Sequence, residues 1–206
     1  MTKIARRNLF GLGEPELSPR EKIRLRYFPN IELVTHEGRK VRFYEDLIKD
    51  KVVMINMMFT TCPGVCPGIM ANLLKVQKLL GDRVGKEIFM YSLSLDPARD
   101  TPRVLGEYAR KRRLGPGWTL LTGKVEDMEV LRRKLGFTNP NPLLDKDIEQ
   151  HIGNVRYGNE PLMLWAASPG LADAQWLVES LSFVIRPERH RPESRSVSRA
   201  GDRSGL

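Results

Sequence analysis

Two cysteines, Cys62 and Cys66, are the residues of this sequence whose type and spacing best suit chemistry. They are its only cysteines and lie within Phe59-Thr60-Thr61-Cys62-Pro63-Gly64-Val65-Cys66-Pro67. A disulfide framework would use more cysteines, spread along the chain, so a close pair favours metal binding or redox chemistry. Residues i and i+4 of a helix lie across one turn, with Cβ atoms about 5–6 Å apart. Two sulfurs at that spacing could bind one metal ion or close into a disulfide, and both chemistries stay open.

A third ligand would favour the metal, and His151 is the candidate. It follows Cys66 by 85 residues and ends a predicted loop, whereas His36 occupies a predicted hairpin turn and is interpreted as a polar turn residue. Thiolates suit Cu(I), and imidazole also accepts Cu(II). Structural zinc usually needs four protein ligands, and no fourth Cys or His is available in the body of the chain once His36 is assigned to the turn. The alternative for His151 is a loop histidine that is hydrogen-bonded to backbone.

The elements that must position this pair are a buried strand and a helix. The nearly unbroken apolar run 52–59 is typical of a strand buried on both faces, as in a parallel sheet. After the cysteines, apolar residues recur at helical spacing until Gly81, which suits a helix end. A helix N-terminus stabilises negative charge, so thiolates form more readily there.

The rest of the chain continues this alternation. A hairpin over 31–44 comes first, strands are predicted at 89–95 and 118–121, and a second hairpin and a last helix (173–185) follow. Thr101-Pro102 predicts a helix start, with Thr101 as N-cap. Strands that alternate with helices indicate an α/β protein. We expect a thioredoxin-like fold: a central mixed sheet flanked by helices, with an N-terminal β-hairpin.

The charge of +9 is concentrated at the two ends of the chain. We expect a flexible basic N-terminal segment over 1–26, one domain over 27–185 and a disordered basic tail over 186–206. Because a nucleic-acid binder should carry its basic stripe on the folded body, we expect no nucleic-acid partner. Solvated disorder is the simpler interpretation of the basic ends, and peripheral contact with an anionic membrane is the functional one.

The sequence predicts neither a membrane span nor a complete export signal. No apolar run is long enough to predict a transmembrane helix. Arg6-Arg7 resembles the opening of a twin-arginine signal, but the apolar core of such a signal does not follow, so no complete export signal is expected.

The cysteine segment resembles the Sco/SenC family signature Phe-Thr-x-Cys-Pro-x-x-Cys-Pro. Two further features agree: Asp96-Pro97-Ala98-Arg99-Asp100-Thr101 resembles a second family segment, and His151 stands where the family's metal-binding histidine is expected. The resemblance covers roughly 28–186. It implies a thioredoxin-like fold and one copper ion bound by Cys62, Cys66 and His151. It also implies that Asp96 and Asp100 cap a helix and hold a loop rather than bind metal.

The resemblance further implies a metallochaperone or assembly factor for the dinuclear copper site of cytochrome c oxidase, acting in the cell envelope or periplasm. Its partner would be the copper-bearing oxidase subunit or another copper or redox protein. The alternative is a thiol–disulfide oxidoreductase, or a redox sensor, in which Cys62 and Cys66 cycle through a disulfide and would be the catalytic pair. We expect an assembly factor more than an enzyme.

The sequence departs from the family pattern near the site. Gly64, Gly68 and Gln150 stand where acidic residues are common in the family, so metal affinity and partner docking could differ. Methionines 54, 57, 58 and 70 lie near the site in sequence and could supply thioether ligands to Cu(I). We interpret them as core filling.

Overall fold

The computed structural model describes residues 17–185. The sequence predictions for residues 1–16 and 186–206, a flexible basic segment and a disordered tail, lie outside the described residues. Within 17–185 no helix has both the length and the apolar character needed to cross a bilayer.

One mixed sheet of seven strands forms the centre of the described structure, in the order β2-β1-β5-β4-β3-β6-β7. Strands β3, β4 and β5 are parallel, and β1 and β6 join them antiparallel on either side. The bounds are Glu32–Thr35 (β1), Lys40–Arg42 (β2), Val52–Met58 (β3), Ile88–Ser94 (β4), Trp118–Thr122 (β5), Asn154–Asn159 (β6) and Leu164–Pro169 (β7).

Helices cover both faces of this sheet, which confirms the predicted α/β class. Their bounds are Pro19–Tyr27 (α1), Cys66–Leu80 (α2), Pro102–Arg112 (α3), Val125–Lys134 (α4), Pro142–Asp145 (α5) and Ala174–Ile185 (α6), with a π-helix at Phe43–Ile48. One core packs α2, α3 and α6 against the sheet, and the other packs the π-helix and α4 against the opposite face.

Burial on both faces of the sheet explains the unbroken apolar run of strand β3. Successive side chains of a strand point to opposite faces, so Met54 and Met58 enter the core with α2, while Val53, Ile55 and Met57 enter the other core. Because both faces are buried, neither can be polar without a hydrogen-bond partner. The cysteine segment follows the carboxyl end of this strand and is therefore held by the most buried part of the molecule.

Helix α1 corrects the prediction that residues up to 26 are flexible. Ser18 and Glu21 form a reciprocal capping box at its start. Arg20 reaches the buried carboxylate of Glu160, with Nη2–Oε2 at 2.6 Å, and that carboxylate also accepts from the Tyr44 hydroxyl and the Asp50 backbone N–H. A buried charge needs such partners, so this end of α1 is fixed by a contact across 140 residues.

The N-terminal hairpin forms as predicted, with β1 paired to β2. Its turn histidine, His36, accepts a hydrogen bond on Nδ1 from the backbone N–H of Leu120 at 3.2 Å. His36 therefore ties the turn to β5, in agreement with its interpretation as a structural residue.

Candidate metal centre

Cys62 and Cys66 lie at the transition from β3 to α2. The backbone N–H of Cys62 donates to the carbonyl of Phe59 at 3.2 Å, which closes a tight turn directly after the strand. Cys66 is the first residue of α2, and no side chain caps that helix. Both cysteines are free thiols and are almost completely buried, 7% and 2% exposed.

His151 completes the cluster from the far side of the chain. Its Nε2 lies 3.0 Å from the Sγ of Cys66 and 3.9 Å from the Sγ of Cys62. All three ligand atoms lie within 4.8 Å of one another. Among residues 17–185 this is the one group of three or more Cys, His, Asp or Glu residues arranged to hold a metal ion. The structure thus brings together the three residues that the sequence singled out.

Burial controls the protonation of the free cluster. It raises the pKa of Cys66 to about 12, with the hydrogen bond to Cys62 adding to the effect, because a lone thiolate would lose its hydration there. Burial also lowers the pKa of His151, partly offset by its contact with the Ile152 carbonyl. At neutral pH the imidazole is therefore neutral, and Nδ1–H faces that carbonyl at 3.4 Å. Nε2 keeps its lone pair toward the sulfurs, as a metal ligand requires.

Two glycines let the histidine loop approach α2, and the sequence reasoning missed both. A Cβ on Gly153 would lie 2.8 Å from Ile69 Cδ1, and a Cβ on Gly170 would lie 2.8 Å from the Gly153 carbonyl oxygen. The backbone N–H of Gly170 donates to that same carbonyl at 2.7 Å. The side chain of Asn72, on α2, donates to the carbonyls of Gly170 and Ala172. The Gly170 contact is with backbone and cannot be relieved by a side-chain rotation, so the packing at Gly170 helps to set the position of the loop that carries His151.

A buried carboxylate holds the other side of the cysteine segment. Asp100 is 1% exposed and accepts from the hydroxyl and backbone N–H of Thr60 and from the Ser94 hydroxyl at 2.6 Å. Asp96 pairs with Arg99. Both aspartates therefore stabilise loops, and neither belongs to the cluster of ligand atoms. Thr101 caps α3 as predicted.

The departures at Gly64 and Gln150 lie where the two halves of the site meet. A Cβ on Gly64 would lie 3.6 Å from the Glu149 carbonyl oxygen, an ordinary contact, so the cysteine turn packs on the short helical turn that precedes His151. A Cβ on Gly68 would lie 3.2 Å from Leu171, which gives that position a packing role.

The methionines are core residues. Met54, Met57, Met58 and Met70 are each at most 2% exposed, and Met57 packs on the face of the sheet opposite α2. The Met70 thioether faces the amide of Asn56, with Nδ2–Sδ at 3.8 Å. Their burial fits the interpretation of core filling.

The donor set fits a thiophilic metal ion. Two sulfurs and one imidazole nitrogen converge on a point that is largely screened from water, and thiolate and imidazole donors together suit copper. Holding a cation there requires the thiols to release their protons, so affinity must rise with pH.

The fold and the cluster together define the class of protein. It is a thioredoxin-like protein with two thiols at the start of its first sheet-covering helix and an imidazole opposite them. The sequence matches the SCO1/SenC family over residues 22–150. The chain belongs to that family.

Two curated relatives illustrate the match. A protein of Stutzerimonas stutzeri that carries the provisional name copper-binding protein is 30% identical over 120 residues, which cover 58% of this chain and 55% of the relative. Protein sco1 of Schizosaccharomyces pombe is 28% identical over 102 residues, which cover 50% of this chain and 37% of the relative. The chain thus spans about half, or less, of these relatives' lengths.

Solved structures show the same fold. A SCO1/SenC family lipoprotein from Bacillus anthracis superposes with a TM-score of 0.62 at 21% identity, covering 75% of this chain and 92% of that one. Arabidopsis thaliana ScoI with copper bound gives 0.60 at 21% identity, covering 76% and 96%. BsSco, titled for its disulfide switch and described as a member of the Sco family of cytochrome c oxidase assembly proteins, gives 0.60 at 21%, covering 75% and 90%. The predicted thioredoxin-like fold is confirmed.

Proposed function

We propose that this chain binds one copper ion through Cys62 Sγ, Cys66 Sγ and His151 Nε2. The observation that carries the proposal is the convergence of these three atoms within 4.8 Å of one another. They come from two segments that are 85 residues apart in the chain. A hydrogen bond between the imidazole of His151 and the backbone would not by itself require Nε2 to lie 3.0 Å from the buried sulfur of Cys66.

The residues around the cluster prepare it for a cation. Burial keeps the Cys66 thiol protonated in the free protein, and a bound metal ion would replace those protons. The neutral imidazole of His151 needs no deprotonation. Phe59, 2% exposed, lies edge-on to the imidazole with ring centroids 6.0 Å apart and limits rotation of the ring. Copper, when bound, would supply a redox-active centre that this chain can hold and release.

The proposed role is assembly of the dinuclear copper centre of cytochrome c oxidase, with the copper-bearing oxidase subunit or another copper or redox protein as partner. Membership of the SCO1/SenC family supports it, as does the structural relative described as belonging to the cytochrome c oxidase assembly proteins. We place this activity in the cell envelope, which the lipoprotein relative supports.

Thiol–disulfide exchange is a second role for the same thiols. Cys62 and Cys66 would together give two electrons and two protons to a partner disulfide and become a disulfide themselves. The disulfide switch named for BsSco supports this role. The raised pKa of Cys66 opposes it, because the thiolate is the attacking species.

Copper titration of the reduced protein tests the first proposal. Wild type, Cys62→Ser, Cys66→Ser and His151→Ala would be titrated with Cu(I) and Cu(II) in competition with a chromophoric chelator, with His36→Ala as the matched histidine control. We expect one copper per chain for wild type and His36→Ala, and much weaker binding for the three ligand variants. Wild-type affinity in His151→Ala would refute the three-ligand site. Fast thiol–disulfide turnover by a protein that does not bind copper would favour the second role.

A further inference from the structure

The amino ends of the three parallel strands border a wide cleft rich in cations. The cleft has a volume of about 1180 Å³ and lies where Lys51, Lys86 and Gly117 precede β3, β4 and β5. Three of the exposed cations that line it are Lys78, Lys86 and Arg113, and we call these three the cationic face.

The cationic face is not neutralised by its surroundings. Among residues 17–185, no carboxylate lies within ion-pair distance of Lys78, Lys86 or Arg113, whereas two other lysine or arginine residues of the cleft pair with glutamates: Arg39 with Glu37 and Lys40 with Glu32. Asp46 and Asp82 also line the cleft and keep their charge. The lining still holds six lysine and arginine residues against three acidic residues, so positive charge is in excess.

Helix α3 adds further positive charge at the same end. Its last turn carries Arg110, Lys111 and Arg112, directly before Arg113. One or two cations near a helix C-terminus are enough to offset the helix dipole, whose effect falls off within the last turn. Four in succession exceed that need, and Arg110, Lys111 and Arg113 are exposed.

The thiol site lies at the opposite end of the sheet, where acids and cations are mixed. Seven residues of β3 separate the two ends, about 23 Å at the usual rise per residue. Glu126, Asp147 and Glu149 are exposed acids at the site end, and Arg99, Lys124 and Lys146 are exposed cations there. The excess of cations is therefore concentrated at the cleft end, and an anionic surface would attract that end more strongly than the site end.

We propose that the cationic face docks on the anionic phospholipid surface of a membrane and leaves the cysteine site facing the aqueous side. Basic side chains spread over separate elements suit many mobile headgroups. Nucleic acid would need exposed rings for base stacking, but Trp118 and Tyr91 are each 3% exposed, and Lys51 covers the Phe89 ring. A protein partner would need an exposed apolar anchor point, and the apolar side chains of the cleft other than Pro116 are buried or half-buried. This inference is independent of the proposed copper function.

Vesicle binding of the full chain tests this proposal. Wild type would be sedimented with vesicles of equal parts phosphatidylglycerol and phosphatidylcholine, and with phosphatidylcholine alone, at low and high salt. We expect binding only to the anionic vesicles, weakened by salt. In Lys86→Gln/Arg113→Gln the partition coefficient should fall about 25-fold, at about fivefold for each cation removed.

The control variant Lys124→Gln/Lys146→Gln has the same net charge and loses two exposed cations at the site end. It should bind vesicles within about twofold of wild type, because its cations face away from the membrane. Circular dichroism should show that both variants fold.

Wild-type vesicle binding by Lys86→Gln/Arg113→Gln would overturn the proposal, because the terminal segments would then be responsible. Equal loss of vesicle binding in both variants would show that only net charge matters, and it would also overturn the proposal. Stronger binding to single-stranded DNA or to an acidic protein than to the vesicles would overturn it as well.

Discussion

Replacing Gly170 with alanine should weaken copper binding although this residue lies outside the cysteine motif. The added Cβ would lie 2.8 Å from the Gly153 carbonyl oxygen and 2.9 Å from Ile69 Cγ2. The first contact is with backbone, so it cannot be relieved by a side-chain rotation. Gly153 is two residues from His151, and the strained contact therefore pushes on the loop that carries the imidazole.

The size of the effect follows from this overlap. An ordinary contact begins at 3.4 Å, so the loop must move by roughly half an ångström, the tolerance within which a metal-ligand set has to be held. Overpacking of this kind costs about 1–3 kcal/mol of stability. Disturbing the residues that position a metal ligand typically lowers metal affinity about 10–100-fold, and we expect a loss in that range.

Gly64→Ala is the matched control. It lies between the two cysteines, but its Cβ would meet only the Glu149 carbonyl oxygen at 3.6 Å. Copper affinity from chelator competition and stability of the metal-free protein from urea unfolding should both stay near wild type. If Gly170→Ala bound copper as wild type does while Gly64→Ala did not, closeness to the cysteines, and not the packing of the histidine loop, would govern the site.

Three further predictions concern the supports of the site. Asp100→Asn removes a buried anionic acceptor from Thr60 and should cost about 1.5–3 kcal/mol, measured by urea unfolding, together with a loss of copper affinity. Met70→Leu should change copper affinity by less than about twofold and cost less than about 1.5 kcal/mol; a larger affinity loss in chelator competition would make the thioether a ligand. The Arg132 guanidinium lowers the pKa of Asp145 from 3.8 to about 2. A lowered pKa stabilises the fold above about pH 4 and loses that contribution as pH falls toward 2, so the stability difference between wild type and Asp145→Asn, from unfolding at stepped pH, should shrink over that range; an unchanged difference would contradict the ion pair.

The parts of the fold that the sequence predicted rest on local patterns. The apolar run of β3 and the helical spacing after Cys66 are consequences of burial that neighbouring residues reveal. The pairing of Thr101 with Pro102 likewise predicted the start of α3. His151 was predicted from the need for a third metal ligand and from the family resemblance. No local sequence pattern identifies it.

The parts that the sequence missed rest on contacts between distant residues. Helix α1 buries no residue and has no apolar stripe to recognise. The capping box of Ser18 and Glu21 was readable, but its anchor, Glu160, is 140 residues from Arg20. Gly153 and Gly170 resemble ordinary loop glycines until α2 is packed against them.

The separation of the ligands along the chain has a consequence for folding order. Cys66 and His151 are 85 residues apart, and the loop that carries His151 is placed by β6, which pairs with β3. Closing so long a segment costs chain entropy before any contact repays it. The proposed metal centre thus depends on contacts of high sequence separation, and we expect it to form only after β6 pairs with β3. A chain in which β6 has not yet paired has its two thiols but lacks the imidazole beside them, so the proposed three-ligand site is a property of the closed sheet and not of the cysteine segment alone.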